Sequence, residues 1–169
     1  MALGTGYRNQ DCPTARSLEV VGERWTLLII CNLFYGLRRY TDIRTRIGVS
    51  PAILTQRLNR LVEEDIVARV PGIGAHEEYE LTPKGEKLWP ALSGLVQWGN
   101  EYYLEPESRQ LLTHHQCGDA LDNAGYCARC RVVPPPRDVV RTRPESPADA
   151  DLPGPRARGP HRLLEPLKR

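Results

Sequence analysis

The sequence predicts a mainly α fold of the α+β class, with several helices and one two-stranded hairpin. Three observations lead to this prediction. Apolar residues recur at steps of three and four between Leu18 and Leu33, and two shorter helical patterns follow on either side of Gly48. Two strand-like runs then surround a turn-rich loop. This order of elements is that of a winged helix-turn-helix with a two-stranded wing.

Composition divides the chain into two parts. The part before residue 131, called the body below, has enough apolar residues to build a core, and the tail that follows does not. All the aromatic residues precede position 127, whereas nine of the fifteen prolines lie in the last 39 residues. Residues 131–169 therefore lack the apolar surface that offsets ordering entropy. This Pro/Arg-rich C-terminal tail is expected to be disordered.

Charge and the chain's apolar runs restrict the class of partner. The formal net charge of +2 conceals a basic block, because residues 36–70 carry seven arginines against four acidic residues. Such a block favours a polyanionic partner. No run of membrane length and no signal-peptide pattern occurs, so a cytoplasmic protein without a membrane partner is expected. The five cysteines then indicate reduced thiols, metal binding or redox sensing.

The first helix is predicted directly after Cys12 and Pro13, with Thr14 or Ser17 as its cap and Gly36 at its end. Its apolar residues cover most of the helix circumference. A helix of this kind lies at the centre of a domain or of a dimer.

The next two helices have helix-turn-helix spacing. The first spans 40–47, and the second begins with Ser50 as the N-cap and Pro51 at the first helical position. One side of the second helix is apolar around Leu54, and the other side is short, polar and amide-bearing. The alternative is a three-helix core whose polar face is merely solvated.

A wing and a long helix complete the body. Residues 66–70 and 77–81 predict two strands, joined by the loop 71–76. Thr82 then caps one long helix that reaches Tyr103. Its apolar face is wide for a terminal helix, so the long helices are expected to form a dimer interface.

Several sequence blocks resemble HxlR-type regulators, which are winged helix-turn-helix transcription factors related to the MarR group. The blocks are Cys12-Pro13, LEVVGERWTLLI (18–29), RYTDI (39–43), SPAILTQRL (50–58), YELTPKG (79–85) and LVQWG (95–99). Their order assigns 10–105 to a DNA-binding and dimerisation domain. The resemblance implies a homodimeric repressor or activator that binds double-stranded operator DNA and responds to a redox or small-molecule signal. It does not identify the effector.

The resemblance places the Ser50–Glu64 helix in the major groove. Gln56 there carries the amide that pairs with adenine, and the methyl group of Thr55 can contact thymine. The residues that would hold phosphates are Arg38, Arg39, Arg44 and Arg57, and the weakly basic wing would make weak minor-groove contact. The predicted DNA-contacting residues are Arg38, Arg39, Arg44, Ser50, Ala52, Thr55, Gln56, Arg57, Arg60, Arg69 and His76.

Cys12 is the candidate redox sensor, because the start of a helix and the nearby Arg16 can lower the pKa of a thiol. Its alternative role is inert packing at the dimer seam. Four aromatic residues are assigned to core and dimer packing in preference to an effector pocket: Trp25, Trp98, Tyr102 and Tyr103.

A separate extension is predicted at 107–130. Two ligand pairs, each spaced by two residues, suit a tetrahedral zinc ion: His114 with Cys117, and Cys127 with Cys130. His115 is an alternative ligand, and the bound metal would supply the folding energy of a small knuckle. The competing interpretation is a flexible segment with free or oxidised thiols.

The sequence also bears on two other function classes. A thiol–disulfide centre normally lies at a helix start beside a sheet, whereas three prolines follow Cys130, and no other catalytic constellation occurs. The chain is therefore not expected to be an enzyme. The remaining alternative is a winged-helix protein-interaction module whose Cys/His tail binds a partner.

Overall fold

A computed structural model of the chain describes residues 7, 11–72, 76–142 and 161–166. The order of the elements in these residues confirms the winged helix-turn-helix. The helices are α1 (Pro13–Val21), α2 (Thr26–Phe34), α3 (Tyr40–Ile47), α4 (Pro51–Glu63), α5 (Pro83–Glu86) and α6 (Trp89–Tyr103). The strands are β1 (Val67–Pro71), β2 (Glu77–Leu81), β3 (Leu111–His114), β4 (Val139–Thr142) and β5 (His161–Arg162).

The helix-turn-helix is formed by α3 and α4. Gly48, at the end of α3, has a φ of 70°, a left-handed conformation that glycine adopts without steric cost. The wing follows directly, because β1 and β2 pair antiparallel with Val67 opposite Leu81. The predicted order of helix, turn, helix and hairpin is therefore confirmed.

The first predicted helix is in fact two helices. It is interrupted after Gly22, where a side-chain Cβ would lie only 2.5 Å from the carbonyl oxygen of Leu18. The chain then bends and restarts at Thr26, whose N–H donates to the carbonyl oxygen of Glu23 at 2.9 Å. The apolar periodicity continues across the bend, which is why the sequence pattern conceals it.

The helix caps agree with the prediction in part. Thr82 caps α5 by accepting a hydrogen bond from the N–H of Gly85 at 3.1 Å. Neither Thr14 nor Ser17 caps α1, since the residue before that helix is Cys12, whose side chain forms no capping bond.

The predicted long helix from Thr82 to Tyr103 is also divided. It consists of α5 and α6, and Pro90 lies in the first turn of α6. A proline within a helix removes a hydrogen bond and collides with the preceding turn, so the helix restarts beside it.

One hydrophobic core joins the body to the C-terminal extension. Its centre is Phe34, which is fully buried and packs on Trp89 with a ring-centroid distance of 5.0 Å. The fully buried residues come from α2, α3, α4, β1, β3, the loop between β3 and β4, β4 and the segment after β5: Ile29, Ile30, Phe34, Ile43, Leu54, Leu58, Leu61, Val67, Leu112, Cys127, Val139 and Leu163. The core thus includes residues well beyond the helix-turn-helix.

The prediction of a disordered tail is wrong for residues 131–142 and 161–166. β3, β4 and β5 form an antiparallel sheet in that order, which also crosses the predicted boundary at residue 130. The tail has too few apolar residues for a core of its own, but Val139 and Leu163 bury themselves in the core of the body. Residues 143–160 and 167–169 lie outside the described residues.

In the part of the chain that the structure describes, no helix is both long enough and apolar enough to cross a bilayer.

Candidate nucleic-acid interface and metal centre

α4 presents a short polar face to solvent. Ser50 begins the helix by accepting a hydrogen bond from the N–H of Ile53 at 3.4 Å, and Pro51 occupies the first turn. The three leucines between positions 54 and 61 are fully buried. The predicted division into an apolar and a polar side is confirmed, and the exposed residues of the polar side are Ala52, Thr55, Gln56, Asn59, Arg60 and Glu63.

Tyr40 connects α3 to this face. Its hydroxyl oxygen lies 2.9 Å from the carbonyl oxygen of Pro51 and 3.1 Å from the hydroxyl oxygen of Thr55. Donation to Pro51 leaves the Tyr40 oxygen to accept from Thr55, since a phenol has one proton. The hydroxyl of Thr55 is thereby occupied, and its methyl group remains for other contacts. Sequence reasoning gave Tyr40 no such role, because no motif links it to Thr55.

The side chains of Arg44 and Gln56 have no hydrogen-bond or ion-pair partner among the described residues. Arg44 is exposed on α3, and Gln56 is exposed on α4. Arg60 is also accessible, with about half of its side chain exposed, but it pairs with Glu63 at 3.7 Å and with Glu64 at 2.5 Å. Such exposed pairs contribute at most about 1 kcal/mol, so another anion can replace them at little cost.

Arg38 and Arg39 contact the wing. The side chain of Arg38 is only 23% exposed, pairs with Glu80 and donates to the carbonyl oxygen of Leu164 at 3.0 Å. Arg39, whose side chain is 24% exposed, donates from Nε to Glu78 at 3.2 Å. Both guanidinium groups therefore hold β2 against the start of α3, and they do not join the exposed face of α4.

The other predicted basic residues are spread around this face. Arg57 is half-buried and donates to Glu23 at 2.9 Å, which connects α4 to the bend between α1 and α2. Arg69 on β1 donates to the amide oxygen of Asn59 at 2.6 Å, and thus joins the wing to α4. His76, at the far side of the wing loop, is exposed.

Four side chains of the extension converge on one point. The ligand atoms of His114, Cys117, Cys127 and Cys130 all lie within 4.8 Å of one another. The sulfur of Cys117 is 3.5 Å both from Nδ1 of His114 and from the sulfur of Cys127. One nitrogen and three sulfur donors at this spacing can hold a metal ion.

Tight turns bring each pair of donors together. After β3, the N–H of Gly118 donates to the carbonyl oxygen of His114 at 2.8 Å, and Gly118 has a φ of 77°. In the second pair, the N–H of Arg131 donates to the carbonyl oxygen of Cys127 at 2.8 Å. These backbone bonds close the turns that the two-residue spacing of the donors requires.

His115, the alternative ligand in the sequence prediction, lies outside the cluster. Its side chain is exposed, and its N–H donates to the carbonyl oxygen of Asp138 at 2.7 Å, as part of the link between β3 and β4. His114, in contrast, is 3% exposed and belongs to the four-residue group.

The crowding of the thiols perturbs their ionisation. The hydrogen bond with Cys117 is the main cause that raises the pKa of Cys130 to about 11. A hydrogen bond from the backbone of Asp119 lowers the pKa of Cys117. Neighbouring thiolates repel one another because they carry the same charge. A bound divalent cation would compensate this repulsion and allow several thiols to ionise together.

The two remaining cysteines differ in accessibility. Cys12 is exposed at the start of α1, where the nearby backbone N–H groups of Ala15 and Thr14 lower its pKa. Cys31 lies within α2, where burial raises its pKa. Of these two thiols, Cys12 is therefore the more nucleophilic at neutral pH.

Comparison with known sequences identifies the family. The model of the HxlR-like helix-turn-helix family matches residues 20–107. An uncharacterized HTH-type transcriptional regulator of Mycobacterium tuberculosis is 42% identical over 127 residues, which cover 73% of this chain and 80% of that protein. The uncharacterized HTH-type transcriptional regulator YtfH of Escherichia coli is 36% identical over 92 residues, or 53% of this chain and 73% of YtfH.

Solved structures agree with the sequence comparison. The crystal structure of PA1607, described as a candidate transcription factor, matches with 38% identity and a TM-score of 0.61. The match covers 67% of this chain and 81% of the PA1607 chain. The oxidised form of the redox regulator HypR matches with 26% identity and a TM-score of 0.52, and this match covers 56% of this chain and 100% of the HypR chain. The chain therefore belongs to the HxlR-like helix-turn-helix family and is a DNA-binding transcriptional regulator, not an enzyme.

Proposed function

We propose that the chain binds operator DNA as a homodimer, with α4 of each copy in the major groove. The observation that carries this proposal is the exposed carboxamide of Gln56, which has no partner among the described residues. A carboxamide offers a donor and an acceptor side by side, which matches N7 and N6 of adenine. The methyl groups of Ala52 and Thr55 on the same face suit the methyl group of thymine.

We assign the phosphate contacts to the arginines that are exposed and that have weak ion pairs or none with described residues. Arg44 is the principal phosphate ligand in this proposal, because it is exposed and forms no ion pair with a described residue. Arg60 exchanges its exposed carboxylate partners for phosphate at little cost. Arg38 and Arg39 act instead as braces of the wing, since their ion pairs with β2 are largely shielded from solvent.

The wing contributes little to affinity in this proposal. Arg69 already donates to Asn59, and His76 is followed by acidic residues at 77 and 78. Minor-groove contact therefore depends on His76. Arg69 can contribute only if it exchanges its hydrogen bond with Asn59 for a contact with DNA. Most of the binding energy comes from the α3 and α4 side of the domain.

A second copy of the chain is proposed to cover the apolar face of α1, α2 and α6. Trp98 is half-exposed, and its ring centroid lies 5.9 Å from that of Tyr102 and 4.9 Å from that of Tyr103. A single soluble chain seldom leaves such a patch uncovered. The exposed apolar residues of the face are Leu18, Leu28, Leu95, Trp98, Tyr102 and Tyr103. Sedimentation should show a dimer that Tyr102→Glu converts to a monomer.

We propose zinc as the metal of the four-residue cluster. Three sulfur ligands and one nitrogen ligand form a closed set that saturates a tetrahedral ion, which suits a structural role. The chemistry of the donors supports zinc over magnesium or calcium, because those ions require oxygen ligands. The ion would fasten the turn after β3 to the turn at Cys127, and so hold the extension in place.

A redox response at Cys12 is a second proposed property. The thiol is exposed, its pKa is lowered, and HypR, a similar solved structure, is a redox regulator. Cys12 lies at the start of α1, next to the face that the second copy is proposed to cover. Oxidation of this thiol would change the contact between the two copies, and with it the distance between their α4 helices.

DNA binding is tested with the duplex upstream of the chain's own gene and with a scrambled duplex of equal length. Fluorescence anisotropy over a series of salt concentrations should show tighter binding to the upstream duplex and a log-linear loss of affinity with salt. Equal affinity for the two duplexes would contradict sequence-specific binding to the operator. That result would favour the alternative function, a winged-helix module that binds a protein partner.

A further inference from the structure

The exposed face of α4 contains a second carboxamide, which is absent from the predicted DNA-contacting residues. Asn59 follows Ala52 by seven positions and Gln56 by three, and its side chain is exposed. At about 100° per residue, Asn59 lies within about 20° of Ala52 around the helix axis, between the directions of Thr55 and Gln56. Asn59 is therefore central in the face that is proposed to enter the major groove.

Arg69 of the wing occupies one end of this carboxamide. Its Nη2 lies 2.6 Å from Oδ1 of Asn59. A guanidinium group has donors and no acceptor, so the atom of the carboxamide that faces Arg69 must be the oxygen. A hydrogen bond from a charged donor is also stronger than a neutral one, and this opposes rotation of the carboxamide by 180°. The carbonyl end of Asn59 is therefore held toward the wing.

The amide end of Asn59 remains available. Its Nδ2 carries two N–H donors, and neither has a hydrogen-bond partner among the described residues. Asn59 is thus a donor-only group, whereas the carboxamide of Gln56 offers both a donor and an acceptor. No existing contact has to break before the two donors of Asn59 can bind a new acceptor.

The base edges in the major groove differ in how well they match a donor-only group. Guanine presents two adjacent acceptors, N7 and O6, whereas adenine presents the acceptor N7 beside the amino group at N6. Thymine offers the single acceptor O4 beside its methyl group, and cytosine offers a donor. An amide NH₂ group can donate to both acceptors of guanine, but next to adenine it faces another donor. Guanine is therefore the best match.

We propose that Asn59 is a further specificity-determining residue, which reads guanine in the major groove through its amide NH₂ group, and that Arg69 is the positioning residue that selects this end of the carboxamide. The proposal rests on the proposed function, because it requires α4 in the major groove. Gln56 and Asn59 are about 4.5 Å apart along the helix axis, close to the spacing of about 3.4 Å between base pairs. The operator should therefore place a guanine for Asn59 within one or two base pairs of the adenine for Gln56.

The base that Asn59 contacts is found by changing the DNA. Fluorescence anisotropy gives the affinities of wild type and Asn59→Ala for the upstream duplex and for duplexes in which each base pair is replaced in turn. Asn59→Ala should reduce the base preference at one position of each half-site by about tenfold and keep the others, and the base preferred there should be guanine. A lost preference for adenine overturns the proposal. So does a uniform loss over all duplexes, which would indicate a phosphate contact.

A modified base tests the contact atom. At the position identified for Asn59, 7-deazaguanine lacks the N7 acceptor and is otherwise close in shape to guanine. Its introduction should weaken binding of the wild-type chain by about threefold or more and leave that of Asn59→Ala unchanged. An equal effect on the two proteins overturns the proposal.

The positioning role of Arg69 is tested by the ratio of affinities for guanine and adenine at the same position. Arg69→Met removes the donor, so the carboxamide of Asn59 can rotate and present its oxygen to the amino group of adenine. The ratio should then fall about fivefold, and in the Asn59→Ala background the same change should leave it unaltered. The lost charge weakens binding to both duplexes alike and cancels in the ratio. An unchanged ratio in Arg69→Met overturns the positioning role.

Failure of this proposal can be told apart from failure of the proposed function. A wild-type chain that binds the upstream and scrambled duplexes equally contradicts the proposed function, and the role of Asn59 falls with it. A wild-type chain that prefers the upstream duplex, and whose base preferences are unaffected by Asn59→Ala, contradicts the role of Asn59 alone. Both variants change exposed side chains, and circular dichroism should show that they keep the wild-type fold.

Discussion

The backbone N–H of Leu164 donates to the carbonyl oxygen of Phe34 at 2.7 Å. This bond joins the C-terminal segment to the end of α2, 130 residues earlier in the chain. Beside it, Leu163 is buried in the same core as Phe34, and a side chain at Gly36 would overlap the carbonyl oxygen of Glu165. The segment 161–166 is therefore part of the winged-helix core.

This contact predicts that the C-terminal segment stabilises the DNA-binding domain. Leu163→Ala should lower the free energy of unfolding by about 2–5 kcal/mol, because it removes a fully buried side chain and leaves a cavity. Urea denaturation followed by circular dichroism measures the change. Val133→Ala, at an exposed position, is the control and should have little effect. Equal stability of the two variants would show that the segment is not packed in solution.

The exposed carboxamide of Gln56 predicts a change in specificity. Gln56→Ala should reduce discrimination between the operator and a scrambled duplex by about 1–3 kcal/mol, because a two-bond contact with a base edge is lost. Arg44→Ala, the matched control, should weaken binding to both duplexes alike and lower the salt slope by about 1. Anisotropy titrations measure both effects. An equal loss on the two duplexes for Gln56→Ala would contradict its role in base reading.

The Cys/His cluster predicts one metal ion per chain. Elemental analysis of protein purified without chelators should give about one equivalent of zinc, and Cys127→Ser should lose it. Chelation should also lower the melting temperature, because the extension loses the ion that joins its two turns. His114→Ala and His115→Ala form a matched pair, since only His114 belongs to the cluster. Equal metal content in these two variants would rule out the assigned ligands.

The accessibility of the cysteines predicts their order of alkylation. The pKa of Cys12 is lowered, so its thiolate fraction rises at a lower pH than that of an ordinary cysteine, whereas the raised pKa of Cys31 delays its ionisation. Iodoacetamide labelling followed by mass spectrometry across a pH series should therefore modify Cys12 before Cys31.

The redox proposal for Cys12 adds a functional control. Diamide should change the DNA affinity of the wild-type chain and leave that of Cys12→Ser unchanged. A response that persists in Cys12→Ser would assign the effect to other thiols.

The features that could be predicted from the sequence depend on short-range relations. The apolar side of α4, its cap at Ser50 and the cap of α5 at Thr82 follow from residues three or four positions apart. The donor spacing from His114 to Cys130 likewise indicated one cluster, and the structure gathers those four side chains. Local periodicity and ligand spacing suffice for such features.

Other features were decided only by the tertiary structure, because they join residues that are distant in the chain. No short-range pattern indicated that Arg38 contacts Glu80 and the carbonyl oxygen of Leu164. The hydrogen bond from Arg69 to Asn59 likewise exists only because β1 packs beside α4. The tail looked unable to fold because its own apolar content is low, yet the core of the body accepts Leu163. Sequence patterns describe which surfaces a segment offers, whereas the partner of each surface is decided by how distant segments pack.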